Sequence, residues 1–247
     1  MITLHKFVSA WDQPDLSPFC AKVETYLRMT AQPFRTVTAD SRKAPKQKLP
    51  FIEDGGRVVS DSRDIVDYLE SKRPVPLDAD LSPRERAIAT AFRGLLEEEL
   101  YFLVVVQRWQ HDANWPTYLP ILREYGTAIG VPKLLMPVIL RAVRKQMVQS
   151  VWGQGAGRHS AEQVDDRIRQ ILDAVSIQLG DGPYFLGARL RVIDATVYAF
   201  LSSLLDSPFD SSARRHGLSF ANLTLYRARM KSEFFAAAGS PRPAAAV

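Results

Sequence analysis

The segment Lys48-Leu49-Pro50-Phe51-Ile52-Glu53-Asp54-Gly55-Gly56 constrains the fold of this chain more than any other stretch. Phe51-Ile52-Glu53 reads as a strand, and Asp54-Gly55-Gly56 is a strong signal for a tight hairpin into a second strand at residues 57–60. A proline at the head of such a strand cannot donate to the ladder. A cis Leu49–Pro50 bond accounts for it by turning the preceding backbone outward, so that Leu49 offers its N–H and C=O to an extended peptide. Immediately after the hairpin, Asp61-Ser62 opens a short amphipathic helix marked by Ile65, Val66 and Leu69. A serine at a helix start presents a hydroxyl and an N–H to a carboxylate, and Asp61 can accept from an ammonium group.

The residues before this segment supply the rest of a small α/β unit. Residues 2–7 and 34–37 read as strands. Between them Ser17-Pro18 has the form of an N-cap followed by proline at the first helical position, with Cys20, Val23 and Leu27 recurring at helical spacing. The predicted order is strand, helix, strand, hairpin, helix.

Lys72-Arg73-Pro74-Val75-Pro76-Leu77 has two prolines and little periodicity, and Ser82-Pro83-Arg84-Glu85 opens a long helical pattern. This places one domain at residues 1–73, a linker at 74–83 and an all-helical domain at 84–236, with a patternless tail at 237–247 expected to be flexible. Helical segments fall at about 83–112, 133–151, 161–179, 192–205 and 220–235, and no internal repeat is visible. The third quarter mixes leucine, valine and methionine with Lys133, Arg141, Arg144 and Lys145. Two readings fit it, a membrane-surface helix or a core helix with a basic edge, and the second is adopted, with a kink or fresh start at Pro137.

Composition narrows the class. One cysteine, Cys20, excludes an intrachain disulfide and a cysteine-rich zinc site and points to a reducing compartment, hence a cytoplasmic protein. The start lacks a signal-peptide pattern, and no apolar run approaches the ~20 residues of a membrane span, so no membrane partner is expected. The formal charge of +5 comes from 32 basic and 27 acidic residues spread along the chain, without the concentrated stripe and aromatic interleaving of a nucleic-acid reader.

The cis-proline segment followed by Asp61-Ser62, with Ser17-Pro18-Phe19-Cys20 between the first strand and first helix, resembles the N-terminal domain of cytosolic glutathione transferases. In the helical half, Phe185-Leu186-Gly187 through Val192-Ile193-Asp194-Ala195-Thr196 is similar to that family's buried helix, with Arg191 where its N-cap serine or threonine stands. The run from Ser17 to Met29 and Ser219-Phe220-Ala221-Asn222-Leu223 look closest to the metaxin and failed-axon-connections branch.

The resemblance implies a thioredoxin-like domain joined to a helical bundle. It also implies glutathione as cosubstrate, a homodimer, and conjugation of glutathione to a small apolar electrophile, as in detoxification. It puts glutathione on Lys48, Leu49, Pro50, Asp61 and Ser62, with Ser17 as the catalytic residue that stabilises the thiolate.

Trp11, Tyr101, Arg108 and Trp109 are candidates for the electrophile site, the last three from the helix that usually walls the cleft. No metal is expected, since His111-Asp112 and the acidic triplet Glu97-Glu98-Glu99 lack a helical i, i+4 histidine pair. Two other readings stay open: a metaxin-like glutathione-binding scaffold without catalysis, and a glutathione-dependent thiol exchanger or reductase using Cys20.

Overall fold

A computed structural model describes residues 1–236; the tail assigned to 237–247 lies outside the described residues. Four strands, β1 (Ile2–Lys6), β2 (Phe34–Thr38), β3 (Phe51–Asp54) and β4 (Arg57–Ser60), form one sheet in the order β2-β1-β3-β4. β1 and β2 run parallel, joined by a crossover through α1 (Pro18–Met29), whereas β1–β3 and β3–β4 are antiparallel. The hairpin closes on Gly55 at φ +58° and Gly56 at φ +88°, a pair of left-handed positions that glycine takes without steric conflict. The Leu49–Pro50 bond is cis, and pairing starts one residue later, with Phe51 opposite both His5 and Ser60. α2 (Ser62–Ser71) follows β4 directly and buries Ile65, Val66 and Leu69.

The helical half begins with α3 (Pro83–Gly94), whose Ser82 and Glu85 form a reciprocal capping box. The same helical path continues through a π-helical stretch (Leu95–Leu100), α4 (Tyr101–Val105) and a second π-helical stretch (Val106–Gln110). Then come α5 (Trp115–Ala128), α6 (Met136–Gln154), α7 (Ala161–Leu179), α8 (Val192–Leu205), α9 (Ser212–Ser219) and α10 (Ala221–Phe235).

Two of these depart from the sequence reading. α5 carries Pro116 in its first turn and Pro120 in its interior, and these prolines hide the helical pattern. α9 has few apolar positions, burying only Ala213 and Gly217, so its periodicity is weak. α6 starts with Pro137 in its first turn, and among the described residues no helix is long and apolar enough to cross a membrane.

The core runs through α1 and α8. α1 is clamped between the sheet and α8, so it buries Lys22, Glu24 and Thr25 along with Val23, Tyr26 and Leu27. α8 buries every residue after Val192. Asp194 at its third position is fully buried. It accepts from the N–H of Arg191 at 2.8 Å, the N–H of Phe185 at 2.8 Å and the Tyr226 hydroxyl at 3.0 Å. A guanidinium cannot return the bond as a capping serine would, and Arg191 instead reaches Leu77 O and Asp80 in the linker.

Candidate active site

Strand register brings the sequence-predicted groups to one end of the sheet. Phe51 pairs with Ser60, which sets Leu49-Pro50 beside Asp61-Ser62. Leu49 in turn packs with Cys20 and Phe7 at the start of α1. Leu49 is buried, and neither its N–H nor its C=O has a hydrogen-bond partner among the described residues.

Asp61 stands at φ +84°, a left-handed value that strains any residue with a Cβ. Its carboxylate accepts from the Arg63 N–H at 2.9 Å, and the backbone there turns toward solvent. Ser62 is only 4% exposed, and its hydroxyl accepts from Lys22 Nζ at 3.3 Å. Lys48 is exposed; next to it in the loop Lys46 pairs with Asp64 at 3.1 Å.

At α1 the Ser17 side chain makes no bond to the helix backbone, although its N–H donates to Asp15 Oδ1 at 2.8 Å. Proline follows, and the next two N–H groups, of Phe19 and Cys20, have no partner among the described residues. The half-buried Ser17 hydroxyl and two vacant helix N–H groups therefore stand together at the positive end of α1. Cys20 is fully buried, and burial pushes its thiol well above the ordinary range, with the Asp15 charge adding to the effect. A thiol in that state is a poor nucleophile, so the exchange reading gains nothing from the geometry.

Beneath this turn lies a charged network that sequence reasoning missed. Asp15, 1% exposed, sits 3.7 Å from Lys6, whose ammonium also reaches Glu24 at 2.6 Å. Burial raises the Asp15 carboxyl to about 7 against the pull of Lys6 and the Ser17 N–H. A second buried pair, Lys22 to Glu97 at 2.6 Å, supports Ser62 from below. Desolvation lowers the Lys22 ammonium while Glu97 holds it up.

The four candidates for a second substrate site separate into two layers. Arg108 is buried: its Nη1 donates to Leu16 O at 2.8 Å, immediately before Ser17, and its Nη2 donates to Ser203 O and Oγ. Trp11 packs over Arg108 at 5.8 Å and edge-on to Phe209 at 5.1 Å. Tyr101 meets Phe19, two residues from Ser17, at 4.8 Å. Trp109 stands behind, facing Tyr118 at 5.0 Å and Trp115 at 6.0 Å.

Tyr118 of α5 occupies the space between Trp109 and Trp11, with its hydroxyl against Arg108, and burial raises it to about 12. Tyr118 and Phe209 complete the aromatic wall. Neither shows a periodic signal, since one lies between Pro116 and Pro120 and the other lies in a loop. Tyr125 ties α5 back to the first half by donating to Ala39 O at 2.9 Å. Among the described residues no group of three histidine, cysteine, aspartate or glutamate side chains is arranged to hold a metal ion.

Comparison with known proteins agrees with this fold. Residues 18–114 match the model of the glutathione S-transferase N-terminal domain, and residues 168–230 match that of the glutathione S-transferase C-terminal domain. The isoprene-epoxide–glutathione S-transferase of Rhodococcus sp. strain AD45 is 38% identical over 95% of this chain and 99% of its own length. Failed axon connections of Drosophila melanogaster is 29% identical over 83% of this chain and 50% of that protein.

The structure of a glutathione S-transferase from Pseudomonas fluorescens superposes with a TM-score of 0.54 at 17% identity, covering 94% of both chains. That likeness shows the fold, a thioredoxin-like sheet domain with a helical partner. The full-length similarity to the Rhodococcus enzyme, together with both matched domains, shows that this chain belongs to the glutathione S-transferase family.

Proposed function

We propose that this enzyme ionises the thiol of glutathione at the N-terminus of α1 and joins the sulfur to a small apolar electrophile. An epoxide is the class favoured by the name of the similar Rhodococcus protein. One observation carries the reading. Ser17 withholds its hydroxyl from capping the helix and has the buried Cys20 thiol as its neighbour, so that hydroxyl and the unpartnered N–H groups of Phe19 and Cys20 are the three donors this turn offers an anion. We assign the peptide backbone of glutathione to Leu49 ahead of Pro50. Its γ-glutamyl ammonium and carboxylate go to Asp61 and Ser62, and its glycyl carboxylate to Lys48. We divide the chain at 1–73 and 84–236 on the two prolines of the intervening stretch and the capped start of α3.

In the reaction the thiolate attacks carbon, the C–S bond forms as a C–O bond of the epoxide breaks, and the oxygen takes up a proton equal to the one the thiol released. Trp11, Tyr101 and Tyr118 form the apolar side of this space, with Arg108 fixing Leu16 and thereby the approach to Ser17. A homodimer working in the cytoplasm to detoxify such electrophiles is the expected setting, and light scattering of the purified protein checks the dimer.

The test is a pH titration of thiolate absorbance in the glutathione complex, paired with an epoxide conjugation assay. A hydrogen bond to a charged group contributes about 1.5–3 kcal/mol. Ser17→Ala should therefore raise the bound thiol pKa by about one to two units and lower kcat roughly 10–100-fold. Activity that survives Ser17→Ala but vanishes in Cys20→Ala would overturn the assignment in favour of thiol exchange.

A further inference from the structure

Residues 115–167 fall between the two matched family domains and contain α5 and α6. From Tyr125 to Ala161 the chain has no aspartate or glutamate but does have Lys133, Arg141, Arg144, Lys145 and Arg158. Five basic residues and no acid give this stretch +5, equal to the formal charge of the whole protein.

α6 packs Met136, Leu140 and Val151 inward. At 100° per residue its outer arc of roughly 120° carries Val138, Arg141, Ala142, Lys145, Gln149 and Trp152, and the turn leading into the helix adds Leu134 and Leu135. All eight are exposed, and the large apolar ones strongly so: Leu134 91%, Val138 65%, Trp152 57% and Leu135 52%. The core-helix reading of the sequence accounted for the inner face and the basic edge; among the described residues Leu134, Leu135 and Val138 join no core cluster, and the Trp152 ring meets only the Arg158 guanidinium, at 5.6 Å.

We propose that this face of α6 docks the protein onto an anionic membrane surface. Leu134, Leu135, Val138 and Trp152 enter the headgroup boundary, while Lys133, Arg141 and Lys145 meet the lipid charges. The helical part of the stripe, Val138 to Trp152, runs about 21 Å, long enough for the helix to lie in the interface plane.

Charge selects the occupant. A second copy seated on the same face by two-fold symmetry would oppose Lys133, Arg141 and Lys145 with their own counterparts. A nucleic acid would satisfy the cations but leave four large apolar side chains in water. An anionic bilayer takes both kinds of group at once. This reverses the expectation, drawn from the missing apolar span, that the protein has no membrane partner. Binding in the plane needs an amphipathic face rather than a span.

The experiment is co-flotation of the full chain with vesicles of phosphatidylcholine alone or with about one third phosphatidylglycerol, at low and high salt. Each juxtamembrane cation strengthens binding on the order of fivefold, so the anionic vesicles should bind roughly a hundredfold more tightly, with the preference falling as salt rises. Arg141→Gln with Lys145→Gln should weaken that binding about 25-fold. Leu134→Ser with Val138→Ser should weaken it on both vesicle types. All variants should keep their circular dichroism and their turnover of a soluble electrophile.

Equal binding to both vesicles, or variants that float like the wild type, would overturn the proposal. So would a wild-type assembly that dissociates on Leu134→Ser with Val138→Ser, which would make the face a contact between copies. Binding of a short DNA duplex through Arg141 and Lys145 with no flotation would overturn it as well.

Discussion

Glu97→Gln isolates the buried pair beneath Ser62. The substitution keeps the shape and a hydrogen-bonding oxygen 2.6 Å from Lys22 Nζ but removes the counter-charge of an ammonium that is 2% exposed. Breaking a buried pair by removing one partner costs about 3–5 kcal/mol, because the remaining charge is uncompensated. The loss has a ceiling, since Lys22 can shed its proton instead. Reaching the neutral amine from an unfolded lysine costs about 1.4 kcal/mol for each pH unit below 10.4, hence about 6 kcal/mol near pH 6 and about 2 kcal/mol near pH 9.

The sign follows from burial, which depresses the Lys22 pKa in the folded state and depresses it further without Glu97. Its contribution to stability is therefore present at high pH and is lost as pH falls through the folded value. Urea unfolding should show Glu97→Gln down by about 3–5 kcal/mol near pH 6 and by no more than about 2 kcal/mol near pH 9. A loss that is the same at both pH values, or below about 1 kcal/mol near pH 6, would refute this account of the pair. The companion Lys22→Met leaves Glu97, whose side chain is 11% exposed, able to reach water. It should be milder and nearly independent of pH, while raising the KM for glutathione through the loss of support to Ser62.

Two further outcomes follow from buried carboxylates. Asp194→Ala strands the N–H groups of Phe185 and Arg191 and the Tyr226 hydroxyl, and should lower stability by about 3–5 kcal/mol, or Tm by roughly 6–20 °C in a thermal melt. Asp15, raised to about 7 by burial, stabilises the fold most below its unfolded value near 3.8, and this contribution is lost as pH rises through 7. Asp15→Asn should flatten that slope, which amounts to at most about 4 kcal/mol, and leave the variant more stable than the wild type near pH 8 by chemical denaturation.

The first half of the molecule was legible because its signals are local. Pro50, Gly55-Gly56 and Ser17-Pro18 each restrict the backbone within a few residues, and the structure places a cis bond, a hairpin and a helix start at those positions. The long helix from Pro83 was also read, but its faces were not. The two π-helical stretches each shift the register, and they contain Glu97 and Arg108, so a constant 3.6-residue period misplaces what those side chains meet.

Arg108 illustrates the limit. Sequence spacing put it on the open wall of the cleft, whereas it lies buried between Leu16 and Ser203, partners 92 and 95 residues away. Lys22 and Glu24 illustrate it again. On an exposed helix they would be ordinary surface charges, and only the packing of α1 against α8 buries them and makes their pairing obligatory.

The turn that begins at Ser17 is local and readable, but Arg108 and Glu97, which brace Leu16 and Lys22, come from the long helical path that begins at Pro83. Substitutions at Arg108 or Glu97 should therefore disturb glutathione binding without touching it. That is the expected signature of an active site whose contact residues lie on one domain and whose rigidity comes from the other.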